Sequence, residues 1–578
     1  MADQGQKSQH GKRPFRQQGH WSNKRAQKKA RKRERDMKSG SAEEVLKLDI
    51  EELRNSLNKS EHGAETNGDK ATTHDDLPEQ GSEIEVEVIE LSSTGDALAL
   101  QKGSKQIYVL PFAVPGDVVK VKVYRHLKEE QYTVADFVSV VKPSPSRDDS
   151  RIRCKYFATC SGCQFQMLDY AEQLRVKKRV VEKSFRNFSQ LPPELIPAIQ
   201  ETIGSPLQYG YRTKLTPHFD GPAGWKKTKE PFEKRPEIGF MPKGKRTTMD
   251  IEDCPIGTDT VRLGMKLERE RMEVEYKNYT RGATILLRES TQRIPKAAGD
   301  GSEPFDPLKT IIVHSDKYLD VKTCVTDNNA TSTEYVGSYV FHNPAGSFFQ
   351  NNNSILPVFT SYIREHILPP TASSPLSPSA PSDTASAPAS PIKYLIDAYS
   401  GSGLFTITLS SLFEGSTGID IADASIAFAR RNAAANGLPE SQARFIAADA
   451  RELFKSVNYD PDRTVVVLDP PRKGCGADFL GQLLRFGPRR VLYVSCNVHT
   501  QARDVGMLVR GETGAEEEVQ KKSVEEDSGG DGGGAGAGDS TRARTRYAIE
   551  SLRGFDFFPQ TSHVEGVAVL NRVDVPAA

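Results

Sequence analysis

Apolar and polar residues alternate between residues 82 and 143, in Ile84-Glu85-Val86-Glu87-Val88-Ile89, Ile107-Tyr108-Val109-Leu110, Val118-Val119-Lys120-Val121-Lys122-Val123 and Val134-Ala135-Asp136-Phe137-Val138. Successive side chains on a strand point to opposite faces, so period two predicts strands with one buried side. Gly95, Gly103 and Pro115-Gly116 punctuate the run, which predicts a small OB-like barrel of about five strands. Lys and Arg at the outward positions suit contact with RNA. Farther on, three apolar stretches each end on reactive groups: Tyr394-Leu395-Ile396 on Asp397, Val465-Val466-Val467-Leu468 on Asp469, and Val491-Leu492-Tyr493-Val494 on Ser495-Cys496. Strands that deliver chemistry at their C-terminal ends describe the rim of an open α/β sheet. Gly418-Ile419-Asp420 and Phe445-Ile446-Ala447-Ala448-Asp449 add two strands ending in acids, with a helix from Ser425 to Asn436 between them.

The pattern lapses in four places. Residues 1–81 are too polar to pack and are expected to form an arm without regular structure, basic and then acidic. Residues 151–340 are the least legible, a mixed α/β region. Pro/Ser/Ala-rich residues 369–391 cannot form a core. Residues 511–543 run from an acidic stretch into Gly529-Gly530-Asp531-Gly532-Gly533-Gly534, yet apolar patterning resumes at Tyr547–Leu552 and Val567–Leu570. Both are therefore expected to be surface insertions in a catalytic domain spanning 341–573.

Length and charge sharpen this picture. At 578 residues there is room for about three domains. The net charge of +1 hides opposed blocks: residues 1–38 carry thirteen Lys/Arg against three Asp/Glu, and residues 39–83 carry twelve acids against four bases. A basic arm suits RNA contact or nuclear import. No apolar run approaches the ~18 residues of a membrane span, and no signal-peptide core precedes residue 40. Seven cysteines fit a reducing compartment. A soluble, intracellular chain is expected.

Glycines in Tyr399-Ser400-Gly401-Ser402-Gly403 let backbone amides approach a ligand, and Asp420, seventeen residues past Gly403, can accept both ribose hydroxyls of an adenosine. G-x-G-x-x-G is absent. In Asp469-Pro470-Pro471-Arg472 the prolines stiffen the loop and present the carboxylate rigidly. Cys496, among Ser495, Asn497 and His499 at the same edge, is placed to be a nucleophile. In His563-Val564-Glu565, the carboxylate at a strand start is placed for a general base. Cys154-x5-Cys160-x2-Cys163, with a distant Cys254, suits a [4Fe–4S] cluster or zinc, or carries no metal. Cys324 and Cys475 lack partners at useful spacing and are expected to be inert.

These motifs, with Phe349-Gln350-Asn351, together resemble the RNA uracil-5-methyltransferases over about residues 82–573. They most resemble the eukaryotic, fungal-type tRNA (uracil-5-)-methyltransferases that make ribothymidine in the T-loop. The resemblance implies a Rossmann-like S-adenosylmethionine-dependent methyltransferase domain behind an N-terminal TRAM barrel (82–143) and a central domain (151–340). It implies Cys496 as the nucleophile that adds to uracil C6 and Glu565 as the base that removes the C5 proton. Gln350, Tyr399, Asp420 and Asp469 would hold the cofactor. The spacing of Cys154, Cys160, Cys163 and Cys254 resembles that of the cluster-binding members. A monomeric enzyme acting on tRNA in the nucleus, the cytoplasm or both is expected, with a mitochondrial pool also compatible. The same chemistry on ribosomal RNA, and an RNA-binding or folding factor with secondary catalysis, remain alternatives. Cytosine-5 methylation would favour Pro-Cys or Thr-Cys where this chain has Ser495-Cys496.

Overall fold

The computed structural model describes residues 39–61, 77–222, 224, 229–296, 305–370, 391–448, 454, 457–512 and 545–573. The alternating segment folds as strands β1 (Glu83–Leu91), β2 (Ala97–Leu100), β3 (Ile107–Leu110), β4 (Val118–Leu127) and β5 (Tyr132–Lys142), closed into a barrel in the order β1-β2-β3-β5-β4. The apolar phase faces inward: Val86, Val88, Ala97, Ala99, Tyr108, Leu110, Val119, Val121, Val123 and Ala135 are buried together. Lys122 and Tyr124 stand on the outer face of β4.

The expectation of an arm without regular structure through residue 81 fails at helix α1 (Ala42–Glu61). Val45, Leu46, Ile50, Leu53 and Leu57 recur at three- and four-residue spacing, which gives an otherwise charged segment one apolar face. Ile50 and Leu53 bury that face against Leu98, Ile107, Val109, Leu127 and Tyr132 of the barrel. Buried Asp49 accepts from the Ser93 amide at 2.6 Å and pairs with Lys183 at 3.1 Å. Residues 1–38 and 62–76 lie outside the described residues, as do most of the two insertions.

The central region begins with α2 (Tyr170–Phe188), which Asp169 caps, and β6 (Gln200–Ile203). Strands β7 (Lys214–Leu215), β8 (His218–Phe219), β9 (Gly239–Phe240), β10 (Met249–Asp250), β11 (Ala283–Thr284), β12 (Leu287–Pro295), β13 (Thr310–His314) and β14 (Tyr318–Val325) form two small four-stranded sheets. Helix α3 (Asp259–Glu275) packs on one of them. A hairpin of β15 (Thr331–Val336) and β16 (Tyr339–Pro344) leads to α4 (Leu356–His366).

The catalytic sheet contains β17 (Tyr394–Ala398), β18 (Gly415–Asp420), β19 (Ala443–Ala447), β20 (Thr464–Leu468), β21 (Arg490–Ser495), β22 (Arg546–Phe555) and β23 (Glu565–Val573). Helices α5 (Leu404–Leu409), α6 (Asp423–Ala435), α7 (Ala477–Phe486) and α8 (Val498–Arg510) link its parallel strands. The order is β19-β18-β17-β20-β21-β23-β22-β6, with β17 to β21 parallel and β23 antiparallel to β21. The outermost strand, β6, comes from the central region.

Alternate residues of the buried strands fill two cores. Ile396, Val466, Leu468, Val491 and Tyr493 face α7, α8 and α2, while Leu395, Val465, Val467, Leu492 and Val494 face α4, α5 and α6. Each such side chain contributes about 1.5–3 kcal/mol by leaving water. Among the described residues no helix is long and apolar enough to cross a membrane.

Candidate active site

Because β17, β18, β20 and β21 run parallel, their C-terminal ends share one edge, and chain order reverses there between β17 and β20. A crevice opens at such a switch point. On its first side the chain leaves β17 with φ +65° at Tyr399, +54° at Gly401 and +92° at Gly403. Gly403 and Gly418 are needed for close packing: a Cβ would come within 3.0 Å and 2.6 Å of the Phe445 ring. Asp420, at the end of β18, accepts from the Gly401 amide at 3.0 Å and the Ala422 amide at 2.9 Å. Asp397 is wholly buried, and its Oδ2 accepts from the amide and hydroxyl of Thr406 at 2.9 and 2.7 Å. Desolvation, reinforced by the charge of Asp420, pushes Asp397 up to about 7. Asp397 Oδ1 and Ser400 Oγ are buried without a hydrogen-bond partner. These orphaned atoms, beside a Gly401 position that faces open space, are the cradle a polar nucleoside ligand would complete. Tyr399 stacks at a tilt on Phe479, ring centres 5.4 Å apart.

On the second side, Ser495 of β21 pairs with Gly566 of β23, so the antiparallel register sets Cys496 and Glu565 across from each other. The turn holding the thiol is tied down. Ser495 Oγ accepts from the Asn497 amide at 3.1 Å, and Asn497 caps α8. The Asn497 side-chain amide donates to the Arg472 carbonyl at 3.0 Å, and Thr500 Oγ1 donates to the same oxygen at 3.2 Å. Gln501 donates to the carbonyls of Tyr493 at 2.7 Å and Gly566 at 3.0 Å, fastening β21 to β23.

The electrostatics of this side are tense. Burial first, then the charge of Glu565, push the Cys496 thiol up to about 12, while the charge of the Arg472 guanidinium opposes them. Glu565 is 1% exposed, and both its oxygens lack a partner. Desolvation and the Asp469 charge hold it well above the usual carboxylate range, with Arg472 again opposing. Burial and Asp397 push Asp469 up to about 7. The imidazoles of His499 and His563, each lowered to about 4 by desolvation, stay neutral and lend the thiol no positive charge. Arg472 is thus the cation that acts on both Cys496 and Glu565. Its signal was the fourth position of the Asp-Pro-Pro-Arg motif, a position whose role the motif alone does not reveal. Asp397 was likewise visible only as part of a motif.

Gln350 is half-buried on the loop between β16 and α4. Its neighbours fix that loop: Asn351 accepts from the Thr213 amide at 2.8 Å, and Asn352 donates to the Phe557 carbonyl at 3.3 Å. Asp449 lies outside the described residues.

Cys163 and Cys254 are both pushed up to about 12, chiefly by burial, with the charges of neighbouring cysteines adding to it. Yet among the described residues no three His, Cys, Asp or Glu side chains gather tightly enough to hold a metal ion. The residues as arranged do not fit the expected metal centre. Cys160 and Cys254 pack with Tyr156, Phe240 and Met249, and protein bonds fix the Cys154 turn, whose amide donates to Gln166 Oε1 at 3.1 Å.

A family model described as tRNA (Uracil-5-)-methyltransferase matches residues 389–515, the segment that carries Asp397, Asp420, Asp469 and Cys496. The tRNA (uracil(54)-C(5))-methyltransferase of Schizosaccharomyces pombe is 41% identical over 554 residues, covering 96% of this chain and 88% of its own length. The chain belongs to the tRNA (uracil-5-)-methyltransferase family. The Saccharomyces cerevisiae enzyme of the same description is 37% identical, over 84% of this chain and 73% of its own. Among solved structures, the tRNA (uracil-54, C5)-methyltransferase of Pyrococcus abyssi, in complex with S-adenosyl-L-homocysteine, superposes with a TM-score of 0.53 at 23% identity. It covers 84% of this chain and 100% of its own, and it supports the fold: a Rossmann-like methyltransferase sheet with its accessory domains.

Proposed function

We infer that this protein methylates C5 of a uridine in tRNA, at the T-loop position 54 for which its yeast relatives are named, with S-adenosylmethionine as the methyl donor. The observation that carries the reading is the β21–β23 register, which sets a nucleophilic thiol opposite an unpartnered carboxyl, with Asp469 and Arg472 beside both. Uracil C5 is too weak a nucleophile to take a methyl group unaided. Addition of the Cys496 thiolate to C6 forms the S–C6 bond and moves the C5=C6 electron pair toward C5 and O4. When bound, S-adenosylmethionine supplies the electrophilic methyl carbon. Gln350, Tyr399, Asp420 and Asp469 are the residues that would hold it, across the cradle left by Asp397 and Ser400. Glu565 then takes the remaining C5 proton. The electron pair of that C–H bond re-forms C5=C6, and Cys496 leaves as thiolate. Burial raises the proton affinity of Glu565, so its ionised form is a stronger base for this step than an exposed carboxylate. A stacked base cannot reach the site, so the uridine enters flipped out or from a splayed loop.

Nucleoside mass spectrometry of tRNA from a deletion strain tests the reading. Loss of 5-methyluridine from tRNA, restored by the intact gene, is the expected result; loss from ribosomal RNA alone would contradict it.

A further inference from the structure

Lys177 lies on α2, in the central region, and takes no part in the chemistry above. Its side chain is 0% exposed. A lone buried ammonium is costly, so its partners explain its presence. It pairs with Asp556 Oδ1 at 2.8 Å and donates to the carbonyls of Phe558 at 3.0 Å and His563 at 2.5 Å. These are the three donors that an ammonium has. All three acceptors lie on one loop, residues 556–564, which joins β22 to β23 and ends at Glu565. Asp556 opens that loop and His563 stands two residues before the carboxylate, so one side chain clamps both ends of it. Asp556 is held in turn by the Tyr170 hydroxyl at 2.9 Å, also from α2.

From this geometry we propose that Lys177 is a positioning residue for the proton-removing carboxylate: it fixes the loop that aims Glu565 at C5 without touching substrate. This rests on the reading of Glu565 as the base. Loss of the clamp leaves addition of Cys496 to C6 and transfer of methyl to C5 in place. It slows the last step, in which the C5–H proton passes to Glu565, the freed pair re-forms C5=C6 and the S–C6 bond breaks. A methylated protein–RNA adduct should therefore build up.

The test compares wild type, Glu565→Gln, Lys177→Met, Lys177→Arg and the pair Lys177→Met/Asp556→Asn, using a tRNA transcript and S-adenosylmethionine. The double variant leaves no unpaired buried carboxylate and guards against simple unfolding. Displacement of a reacting group by about 1 Å costs on the order of 100-fold, so kcat should fall by about 10- to 100-fold with KM for both substrates little changed. The SDS-resistant methylated adduct should rise toward its Glu565→Gln level, and Lys177→Arg should restore part of kcat. The proposal is overturned if kcat falls without adduct in a variant that melts like wild type, or if both Met variants fail to fold. If Glu565→Gln itself traps no adduct, the base assignment fails, and the role of Lys177 fails with it.

Discussion

At Cys496 the protein holds its nucleophile in reserve. With the thiol pushed up to about 12, only a small fraction is thiolate at neutral pH. Its value is raised, so the reactive anion gains as pH rises. Alkylation of the free enzyme at Cys496 by iodoacetamide should climb by about tenfold per pH unit from 7 to 9 without levelling. A plateau near pH 7 would mean that Arg472 outweighs burial and the charge of Glu565. The placement of these residues was the most legible part of the sequence, because Cys496, Asp469 and Asp420 each end an apolar run, and the end of a parallel strand brings its last side chains to the open edge of the sheet. The roles of Arg472 and Lys177 were not legible. Arg472 acts through space on residues of two other loops, and Lys177 sits in a helix whose composition gives no sign that one of its lysines is buried.

Among the elements, α1 departs most from the sequence-based expectation. Its acids and lysines masked an apolar face whose partner, the barrel, lies elsewhere in the chain, and short-range charge counting cannot see such a partner. Leu53, 4% exposed against Leu98, Ile107, Val109, Leu127 and Tyr132, is the residue on which that packing can be tested. Leu53→Ala should lower the unfolding free energy by about 2–5 kcal/mol in chemical denaturation. An unchanged midpoint would mean that α1 does not dock. The barrel itself was readable from period two alone. The two small central sheets were not, since strands of two residues such as β7 to β11 carry no period, and β6 joins the catalytic sheet only through partners far along the chain.

On the scale of the whole molecule, α2 links the parts. Lys183 on it pairs with Asp49 of α1 and Glu90 of the barrel, both at 3.1 Å, while Lys177 clamps the loop before Glu565. The barrel, α1 and the loop before Glu565 are thus tied to one helix. The basic block of residues 1–38 precedes α1 in sequence, and we propose that it contributes to affinity rather than to chemistry. Its removal should weaken tRNA binding and lower the slope of log K against log salt by roughly 0.7–0.9 for each phosphate that the block neutralises. Single-turnover methyl transfer should stay near wild type. An unchanged slope would show that the block does not touch RNA.

The central claim is that methyl transfer passes through a bond between Cys496 and uracil C6. Wild type and Cys496→Ala, each incubated with a tRNA transcript and S-adenosylmethionine, should be read in parallel for 5-methyluridine by mass spectrometry and for adduct on a denaturing gel. The account predicts both products for wild type and neither for Cys496→Ala, with S-adenosylmethionine binding retained, since the thiol is not among the residues that hold it. Appreciable 5-methyluridine from Cys496→Ala would contradict it.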